Sequence, residues 1–471
     1  MREKSFYITT TLPYVNADPH LGHAMELVHA DVIARYKVSR GYDVFFNTGT
    51  DEHGQKVYKA SEEAGLPPQE YTDKFAKRFL ALQETLGLSQ GLHFIRTTNA
   101  EHKKAAQEFW KLCDEAGDIY KKNYEVKYCE GCELEKTDSE LENGRCPIHP
   151  NKDIEIREEE NYFFRFSKYG ERLIEIYDKD PDFMIPDFRL NEMRALIDRG
   201  LEDFSISRLK EKMPWGVEVS GDSQHVMYVW FDALVNYVST LGWPSDTKSF
   251  ERFWEDGTPV QMAGKDQVRQ QAAMWQAMLL SAGLPPTRHI VIHGFINYEG
   301  QKMSKSLGNV VDPFELLSEY SVDVLRYFLL REINQFEDSD ISRDRLRESY
   351  NANLANGLGN LVARIMRLAE DHLDTPVEIS EDVNDEYVSR ELDRFNIHKS
   401  INYIWEEIGK LDLLIQESKP WESKDQEAIS SLVSKLGEIA RTLAPFMPET
   451  SQLILEAISK NKMPDTLFPR K

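Results

Sequence analysis

Apolar and polar positions near the start of the chain predict a strand, a turn and a helix. Residues 5–10 read SFYITT, a run of β-branched and aromatic side chains that is typical of a strand. The apolar residues beyond the turn recur at spacings of three and four, which is the helical period: Leu21, Ala24, Val28, Val32 and Tyr36. We expect this helix to end near residues 40–41, because glycine commonly follows a helix terminus.

Later patterns extend this start into a parallel α/β sheet. Residues 43–50 (DVFFNTGT) read as a second strand, and the order strand, helix, strand implies a parallel pair joined by a crossover. Strand-like runs return around residues 225–233, 261–264 and 289–295. The chain is therefore expected to contain an α/β domain.

Two segments depart from this alternation. Residues from about 116 to 214 interrupt it, and residues from about 343 to 459 carry a helical period throughout, which predicts an appended helix bundle. The expected domain organisation therefore has four segments: 1–115, first half of the α/β domain; 116–214, an insertion; 215–342, second half of the α/β domain; and 343–471, the helical domain.

Composition adds limits on the class of protein. The chain has 471 residues, of which 41% are hydrophobic and 29% charged, as in ordinary globular proteins. It has no run of eighteen apolar residues, and residues 1–4 (MREK) lead directly into the first strand, so we expect a cytoplasmic protein without a membrane partner. The net charge of −23 argues against a general nucleic-acid coat but not against an RNA partner, because phosphate responds to local basic patches.

The turn between the first strand and helix has the chemistry of a phosphate site. A helix N-terminus presents unpaired N–H groups and a positive dipole end, and His20 and His23 lie on one face of its first turn. Gly22 between them permits close approach to the backbone. The turn suits a nucleotide, although helix capping or surface chemistry explains a histidine-rich helix start equally well.

Asp51 directly follows the second strand. Ligands gather at the carboxyl ends of strands in open α/β sheets, so we expect Asp51 beside the histidine turn, where its carboxylate could bind an ammonium group. The alternative is that Asp51 is the N-cap of the next helix.

Three of the four cysteines predict a metal site. Cys129 and Cys132 form one pair of ligands, and Cys146 and His149 form a second pair after a short loop. Three thiolates and one imidazole at this spacing match a tetrahedral structural zinc site with no open position. Unrelated buried cysteines beside a surface histidine are the alternative, and Cys113, which stands apart, is expected to be a core thiol.

Weaker signals become informative only together. Gly264 and Asp266 follow a strand, where the glycine permits close approach and the acid can accept from ribose hydroxyls. Lys302 and Lys305 lie in a flexible loop that could close on a leaving phosphate group. Trp421, after a proline between helices, could stack on an unpaired base or could anchor the core.

Two short sequences in this order connect these signals to a known family. HLGH (residues 20–23) and KMSKS (residues 302–306) on an interrupted α/β sheet resemble the class I aminoacyl-tRNA synthetases. The text around them (TTTLPYVNADPHLGHA, TGTDEHG, YVWFDALVNYV, KMSKSLGNVVDP and DVLRYFLLRE) is similar to methionyl-tRNA synthetases of the bacterial type with one zinc knuckle. The resemblance covers essentially the whole chain.

The resemblance implies a Rossmann-like catalytic domain, a zinc-containing connective insertion and a helical anticodon-binding domain. It also implies ATP-dependent activation of methionine and transfer of the methionyl group to initiator and elongator tRNA(Met), with structural Zn²⁺ and with Mg²⁺ accompanying ATP. The implied catalytic residues are His20, His23, Lys302 and Lys305. ATP would contact these four with Gly264 and Asp266, whereas methionine would contact Leu12, Tyr14, Asp51, Trp230, Ala233, Tyr237 and Trp275. The implied anticodon contacts are Asn360, Arg364 and Trp421.

One stretch departs from the family pattern. After Asp266 the family usually has an aliphatic and aromatic run that ends in a histidine of the amino-acid pocket, but residues 267–271 read QVRQQ. We therefore expect a more polar pocket wall. We also expect a monomer, because no dimerising C-terminal extension is seen. Two alternatives remain open, namely a synthetase-like RNA-binding or regulatory paralogue and a small-molecule nucleotidyltransferase with a similar histidine turn.

Overall fold

A computed structural model describes residues 4–132, 134–136, 141–302, 311–380 and 385–471. The chain forms two compact units. The first unit comprises Met1–Asp18, Asp43–Ala81 and Gly91–Ile292, and the second comprises Pro19–Tyr42, Leu82–Gln90 and His293–Lys471. The first and third of the four expected segments thus each contribute to both units, and the three expected boundaries between segments stay predictions.

The described strands are β1 (Ser5–Thr9), β2 (Asp43–Thr50), β3 (His93–Arg96), β4 (Ile119–Cys129), β5 (Leu134–Glu135), β6 (Glu155–Phe164), β7 (Met184–Ile185), β8 (Phe204–Ser205), β9 (Ser207–Leu209), β10 (Glu218–Val219), β11 (Asp222–Met227), β12 (Thr258–Gly264), β13 (His289–His293), β14 (Ile296–Tyr298), β15 (Gln301–Lys302) and β16 (Ser339–Ile341).

The described α-helices are α1 (Leu21–Ser39), α2 (Gln55–Glu63), α3 (Pro68–Thr85), α4 (Ala100–Glu115), α5 (Gly170–Lys179), α6 (Phe188–Asp198), α7 (Val229–Leu234), α8 (Asn236–Ser239), α9 (Lys248–Phe250), α10 (Trp275–Ser281), α11 (Pro313–Glu319), α12 (Val322–Tyr327), α13 (Arg343–Ser349), α14 (Asn360–His372), α15 (Glu386–Asp393), α16 (Ile397–Ser418), α17 (Pro420–Ser423), α18 (Gln426–Leu443) and α19 (Pro448–Ser459).

The main sheet has six strands in the order β3-β2-β1-β12-β13-β7. The pairs β3–β2, β2–β1, β1–β12 and β13–β7 are parallel. The chain moves outward from β1 to β2 and β3 and later returns on the other side of β1 as β12, so the strand order reverses between β1 and β12. Such a switch point is where open α/β sheets bind ligands, at the carboxyl ends of the strands.

The central strands are buried along most of their length because both faces of the sheet are covered. Phe6, Tyr7 and Ile8 of β1 are all buried, and so are six of the seven residues of β12. The expected α/β fold is confirmed, and β2 has the expected bounds.

Two strands differ from the expectation. Strand β11 was expected within the α/β pattern, but it pairs with β9 and β10 in a separate antiparallel sheet. Strand β7 lies in the expected insertion but joins the main sheet beside β13. A strand of two residues is too short to produce a readable alternation, and pairing direction depends on distant partners, which explains both differences.

The rest of the insertion is built on a long antiparallel pair. Strands β4 and β6 pair from Ile119 opposite Phe164 to Tyr128 opposite Glu155, and β5 and β8 extend the sheet to four strands. Cys129 therefore lies at the far end of a ribbon that offers little core of its own.

The second unit is mainly helical. The expected helical region agrees with the structure at both ends, since α13 begins at Arg343 and α19 ends at Ser459. Helix α1 belongs to this unit. A buried ion pair joins its Asp31 to Arg326 of α12 at 2.8 Å, and Arg326 also donates to the carbonyl oxygens of Pro445 and Phe446. None of the helices within the described residues combines the length and hydropathy needed to cross a bilayer.

Candidate active site and zinc site

The histidine turn forms the start of helix α1. His20 is the N-cap residue, and its Nδ1 accepts a hydrogen bond from the backbone N–H of Gly22 at 3.1 Å. His23 Nδ1 accepts from the backbone N–H of His20 at 3.1 Å, and the two rings stack with centroids 3.7 Å apart. Because both Nδ1 atoms are acceptors, each neutral ring carries its proton on Nε2. The capping interpretation is thus confirmed, and capping itself orients two N–H donors.

Gly22 is required by the ring of His20. A Cβ atom at Gly22 would lie 2.9 Å from His20 Cε1, which is closer than carbon atoms pack. We expected Gly22 to leave room for a ligand beside the backbone. In the structure the ring of His20 occupies the space next to this glycine.

The described residues on either side of the lysine loop, Lys302 and Val311, both belong to the second unit. Lys302 is the last residue of β15, whose partner across the sheet is Asn297 of β14. Val311 lies beyond the loop, and its carbonyl oxygen accepts a hydrogen bond from the N–H of Leu21 at 3.1 Å. Lys305 is outside the described residues. The first described residue after the lysine loop is therefore bonded to the histidine turn.

Asp51 lies at the carboxyl end of β2, beside the segment that precedes the histidine turn. Its N–H donates to the carbonyl oxygen of Pro13, and its carbonyl oxygen accepts from the N–H of Val15. These bonds place Tyr14 next to Asp51. The N-cap of α2 is Gly54, so the alternative that Asp51 caps this helix is wrong.

The Asp51 carboxyl group is buried, and its Oδ1 has no hydrogen-bond partner among the described residues. Burial raises the pKa of Asp51 well above its ordinary value, and the nearby Asp232 carboxylate raises it further, although a hydrogen bond from the His53 backbone opposes this. An uncompensated carboxyl group of this kind is suited to a cationic ligand.

Four of the expected methionine contacts lie on three helices of the first unit. Trp230 and Ala233 are half-buried in α7, which starts just beyond β11, whereas Tyr237 of α8 and Trp275 of α10 are fully buried. The rings of Tyr237 and Trp275 meet at 5.8 Å between centroids. Leu12 is half-buried after β1. The Trp275 indole N–H has no partner in the described part of the chain.

Gly264 and Asp266 lie at the switch point. Gly264 is the last residue of β12 and is buried, and Asp266 is exposed in the helical turn Lys265–Gln267 that follows it. An exposed carboxylate next to a buried glycine at the carboxyl end of a central strand matches the expected geometry of a ribose contact.

The four expected zinc ligands converge. One ligand atom from each of Cys129, Cys132, Cys146 and His149 lies within 4.8 Å of every other. Cys132 Sγ is 3.3 Å from Cys146 Sγ and 3.2 Å from His149 Nδ1. This donor set and compactness fit a tetrahedral zinc ion, so the residues present could hold the metal.

Gly131 makes the first pair of ligands possible. A Cβ atom at this position would lie 2.5 Å from the ring of His149. Cys113 does not belong to this cluster. It is buried, and its thiol donates to the carbonyl oxygen of Met278, as expected of a core thiol.

Comparison with known proteins decides the family. The family model for class I tRNA synthetases (M) matches residues 6–149 and 129–366. Two curated methionine–tRNA ligases, from Fusobacterium nucleatum subsp. nucleatum and Thermotoga maritima, are each 38% identical to this chain over 98% of its length and over 75% and 76% of their own. The chain belongs to the class I methionyl-tRNA synthetase family.

Solved structures agree with this family. The methionyl-tRNA synthetase of Mycobacterium tuberculosis in complex with methionyl-adenylate matches with a TM-score of 0.89 and 37% identity, over 96% of this chain and 93% of that one. The apo form from the same organism matches with a TM-score of 0.83 and 33% identity, over 100% and 99% of the two chains. The Rossmann-like fold with a helical domain is thereby confirmed.

The expected anticodon residues lie on the helices of this methionyl-tRNA synthetase family member. Asn360 is exposed at the start of α14, and Arg364 lies one turn later on the same face, where it pairs with Asp412 of α16 at 2.7 Å. Trp421 in α17 is 46% exposed, so the alternative that it anchors the core is wrong. Their role toward RNA stays a prediction.

A buried cluster of histidines and a carboxylate was missed by sequence reasoning. Asp232 Oδ2 lies 2.6 Å from His53 Nδ1, and its Oδ1 lies 2.8 Å from His102 Nε2. Burial opposes the ionised form of Asp232, but the two imidazoles outweigh it and hold its pKa well below the ordinary value. Because His53 follows Asp51 by two residues, this cluster attaches the Asp51 segment to α7. His102 gives no local signal that connects it to either partner.

Proposed function

We propose that this protein is a methionine–tRNA ligase that forms methionyl-adenylate from methionine and ATP, releases pyrophosphate, and transfers the methionyl group to the 3′ end of tRNA(Met). The observation that carries the proposal is the likeness over 96% of the chain to a synthetase whose structure holds methionyl-adenylate. The transfer step releases AMP. The overall reaction supplies aminoacyl-tRNA for translation.

The first step is an in-line displacement at phosphorus, so its catalysis rests on positioning and on neutralising charge. The methionine carboxylate attacks the α-phosphorus while the bond to pyrophosphate breaks, and no covalent nucleophile from the protein is needed. His20 and His23 suit the phosphate oxygens because capping directs both Nε2 protons away from the backbone. Lys302 and Lys305 would neutralise the departing pyrophosphate, together with the Mg²⁺ that accompanies ATP.

Asp51 is the proposed partner of the methionine ammonium group. Its unpartnered oxygen and raised pKa mean that the ionised carboxylate is unfavourable until a cation arrives. The ammonium group of an amino acid supplies this positive charge, whereas an uncharged group at the same place in a ligand does not. The arrangement therefore favours free amino acids over uncharged analogues.

The methionine side chain is proposed to contact Leu12, Tyr14, Trp230, Ala233, Tyr237 and Trp275. A thioether forms only weak hydrogen bonds, so its selection depends mainly on pocket shape and on contacts between sulfur and aromatic rings. Tyr237 and Trp275 already pack edge to face against each other, with ring centroids 5.8 Å apart.

The adenosine of ATP is proposed to contact Gly264 and Asp266. Gly264 ends the strand next to the switch point, where a backbone without a side chain can approach a flat ring or a ribose. Asp266 is exposed and can accept hydrogen bonds from ribose hydroxyls.

The second step requires recognition of tRNA. Asn360, Arg364 and Trp421 are proposed to contact the anticodon, and Trp421 supports this because an exposed indole can stack on an unpaired base. The partners are initiator and elongator tRNA(Met). Zinc at the cysteine cluster would stabilise the end of the β4–β6 ribbon and would take no part in the reaction.

A cytoplasmic location and a monomeric state complete the proposal. Aminoacyl-tRNA is consumed by ribosomes, so its producer is expected in the same compartment. The monomer stays a prediction that light scattering of the purified protein tests.

Charging of tRNA tests the proposed function directly. The purified protein should attach labelled methionine to a tRNA(Met) transcript with the CAU anticodon and should charge the same transcript poorly when the anticodon is altered. A small-molecule nucleotidyltransferase would show no dependence on tRNA, and a regulatory paralogue would bind tRNA without charging it.

A further inference from the structure

A single residue, His53, joins the Asp51 carboxyl group to the buried carboxylate of Asp232. The backbone N–H of His53 donates to the Asp51 carboxyl group, and His53 Nδ1 lies 2.6 Å from Asp232 Oδ2. All three residues are buried, and they belong to the same compact unit. The two carboxyl groups are therefore held in a fixed relation by one side chain and its own backbone.

The hydrogen bonds around Asp232 favour its ionised form without supplying a positive charge. His102 Nε2 lies 2.8 Å from Asp232 Oδ1, and His102 Nδ1 lies 2.9 Å from the hydroxyl group of Ser239, which can donate to it. A neutral His102 therefore satisfies both neighbours. A neutral His53 likewise donates from Nδ1, whereas its charged form would bury a second N–H at Nε2, which has no partner among the described residues. Asp232 thus retains a net negative charge.

The charge of Glu52, the other carboxylate next to Asp51, is balanced. The two oxygens of Glu52 accept from Arg96 at 2.7 and 2.9 Å, so a guanidinium cation faces this carboxylate directly. The other charged groups of this region have their own contacts: Lys56 lies over the ring of Tyr14, Lys103 lies over the ring of Trp215, and Asp73 accepts from Arg96. In the described part of the chain, Asp232 pairs with imidazoles and with no lysine or arginine.

We propose that Asp232 is a positioning residue of the ammonium site, which holds Asp51 through His53 and whose own negative charge strengthens the binding of an ammonium group beside Asp51. The inference rests on the proposed function, in which Asp51 contacts the methionine ammonium group. Asp232 does not touch the substrate in this proposal.

The same charge acts in the opposite direction when the site is empty. Burial raises the pKa of Asp51 well above its usual range, and the Asp232 carboxylate raises it further. A bound ammonium group attracts both carboxylates and offsets their mutual repulsion. Removing the charge of Asp232 should therefore weaken methionine binding and, at the same time, let Asp51 stay ionised to a lower pH.

The experiment measures KM for methionine in ATP–pyrophosphate exchange, at saturating ATP, across the pH range in which the wild-type KM rises. Asp232→Asn is isosteric and can keep both hydrogen bonds if one imidazole changes tautomer, so it removes mainly the charge. On the alkaline side of this range its KM should be about tenfold above that of the wild type, because one neighbouring charge shifts such equilibria by about one pKa unit. The kcat value should change less than about threefold. On the acidic side the two KM values should converge, since Asp51 of the variant is still ionised there.

Asp118→Asn is the matched control. Asp118 is a fully buried carboxylate of the same unit, and it accepts from Lys168 at 2.8 Å and from Ser281 at 2.9 Å. Its substitution should lower the melting temperature, while KM for methionine changes less than about twofold at every pH. Asp232→Glu keeps the charge but lengthens the side chain, so any rise in KM should be by the same factor at every pH.

A second measurement needs no substitution in the protein that is tested. Nitrogen NMR of the wild type with isotope-labelled histidine shows whether each imidazole is neutral or charged, and His53→Gln and His102→Gln assign the two signals. Both rings should be neutral at the pH where methionine binds. A charged His53 there would cancel the charge of Asp232 and would overturn the inference even if Asp232→Asn did not fold.

The kinetic results can overturn the inference in three ways. An unchanged KM in Asp232→Asn, a KM that exceeds the wild-type value by the same factor at every pH, or an equal effect in Asp118→Asn would each show that Asp232 is merely structural. These results require a wild-type protein that activates methionine. A wild-type protein without methionine-dependent exchange would instead contradict the proposed function, and the inference with it.

Discussion

The carbonyl oxygen of Val311 accepts a hydrogen bond from the backbone N–H of Leu21 at 3.1 Å. Leu21 lies between the two signature histidines, and Val311 is the first described residue after the lysine loop. The bond therefore joins the HLGH turn to the segment that follows the KMSKS sequence, although most of the catalytic half of the chain separates the two in sequence. We propose that the imidazole pair and the lysine pair act on one phosphate chain, and this bond keeps the segment after the lysine loop at the histidine turn.

Gly22→Ala is expected to impair activation of methionine. The added methyl group would lie 2.9 Å from His20 Cε1 and would displace that ring from its capping position, which removes one oriented Nε2 donor. We expect the rate of ATP–pyrophosphate exchange to fall about a hundredfold to a thousandfold, the range for loss of one transition-state donor, while methionine affinity changes little.

Gly409→Ala is a suitable control for this substitution. Gly409 lies within α16, and a Cβ atom there would meet nothing within 4 Å. Its exchange rate should equal that of the wild type. Equal losses in the two variants, or a loss of methionine affinity in Gly22→Ala, would contradict the role assigned to His20.

Asp51→Asn is expected to weaken methionine binding and to stabilise the free protein. Below the raised pKa of Asp51 the carboxyl group is protonated and cannot pair with ammonium, so the wild-type KM for methionine should rise as the pH falls. The variant should have a high KM without this pH dependence. Stopped-flow or exchange assays across the acidic range measure both.

Asp51→Asn is expected to weaken methionine binding but to increase the stability of the free protein. An acid whose pKa is higher in the folded than in the unfolded state favours unfolding at pH values above its unfolded pKa, so removing it should raise the melting temperature of the free protein at neutral pH. Asp114→Asn, at an exposed position of α4, controls for the loss of one negative charge. A lower melting temperature in Asp51→Asn would show that the carboxylate has an internal partner.

Zinc should be present at one ion per chain and should depend on the cysteine cluster. Cys132→Ser or Cys146→Ser removes one of four ligands and should abolish retention of the metal through gel filtration, as measured by elemental analysis. Cys113→Ser should retain one zinc per chain, because this thiol contacts the core carbonyl of Met278. Retention of zinc in Cys146→Ser would require a different ligand set.

Trp421→Ala is expected to separate the two steps of the reaction. Because the indole is exposed, its loss should leave the melting temperature and ATP–pyrophosphate exchange nearly unchanged, while tRNA charging falls about fivefold to a hundredfold, as loss of a base stack implies. Trp405→Ala, a buried tryptophan of α16, should instead lower the melting temperature. Equal losses of exchange and charging in Trp421→Ala would argue against an RNA contact.

Sequence reasoning succeeded where the signal is local. The bounds of β2, the helical region from Arg343 to Ser459 and the convergence of the four expected zinc ligands all follow from periodicity or spacing within a short stretch. It failed where a partner is distant. The pairing of β7 with β13 and the cluster around Asp232 depend on residues that lie far apart in the chain.

The decision between capping and phosphate binding at His20 shows a further limit. The same hydrogen bond from Gly22 satisfies the helix end and sets the tautomer of the ring, so the two interpretations are compatible. A sequence pattern cannot distinguish alternatives that one local geometry allows together.

Methionine-dependent ATP–pyrophosphate exchange by the purified full-length chain tests the central claim most directly. The account predicts exchange that requires methionine and Mg²⁺, that does not require tRNA, and that is lost in His23→Ala. Exchange that proceeds with another amino acid but not with methionine would contradict the assigned specificity, and no exchange with any amino acid would contradict the ligase itself.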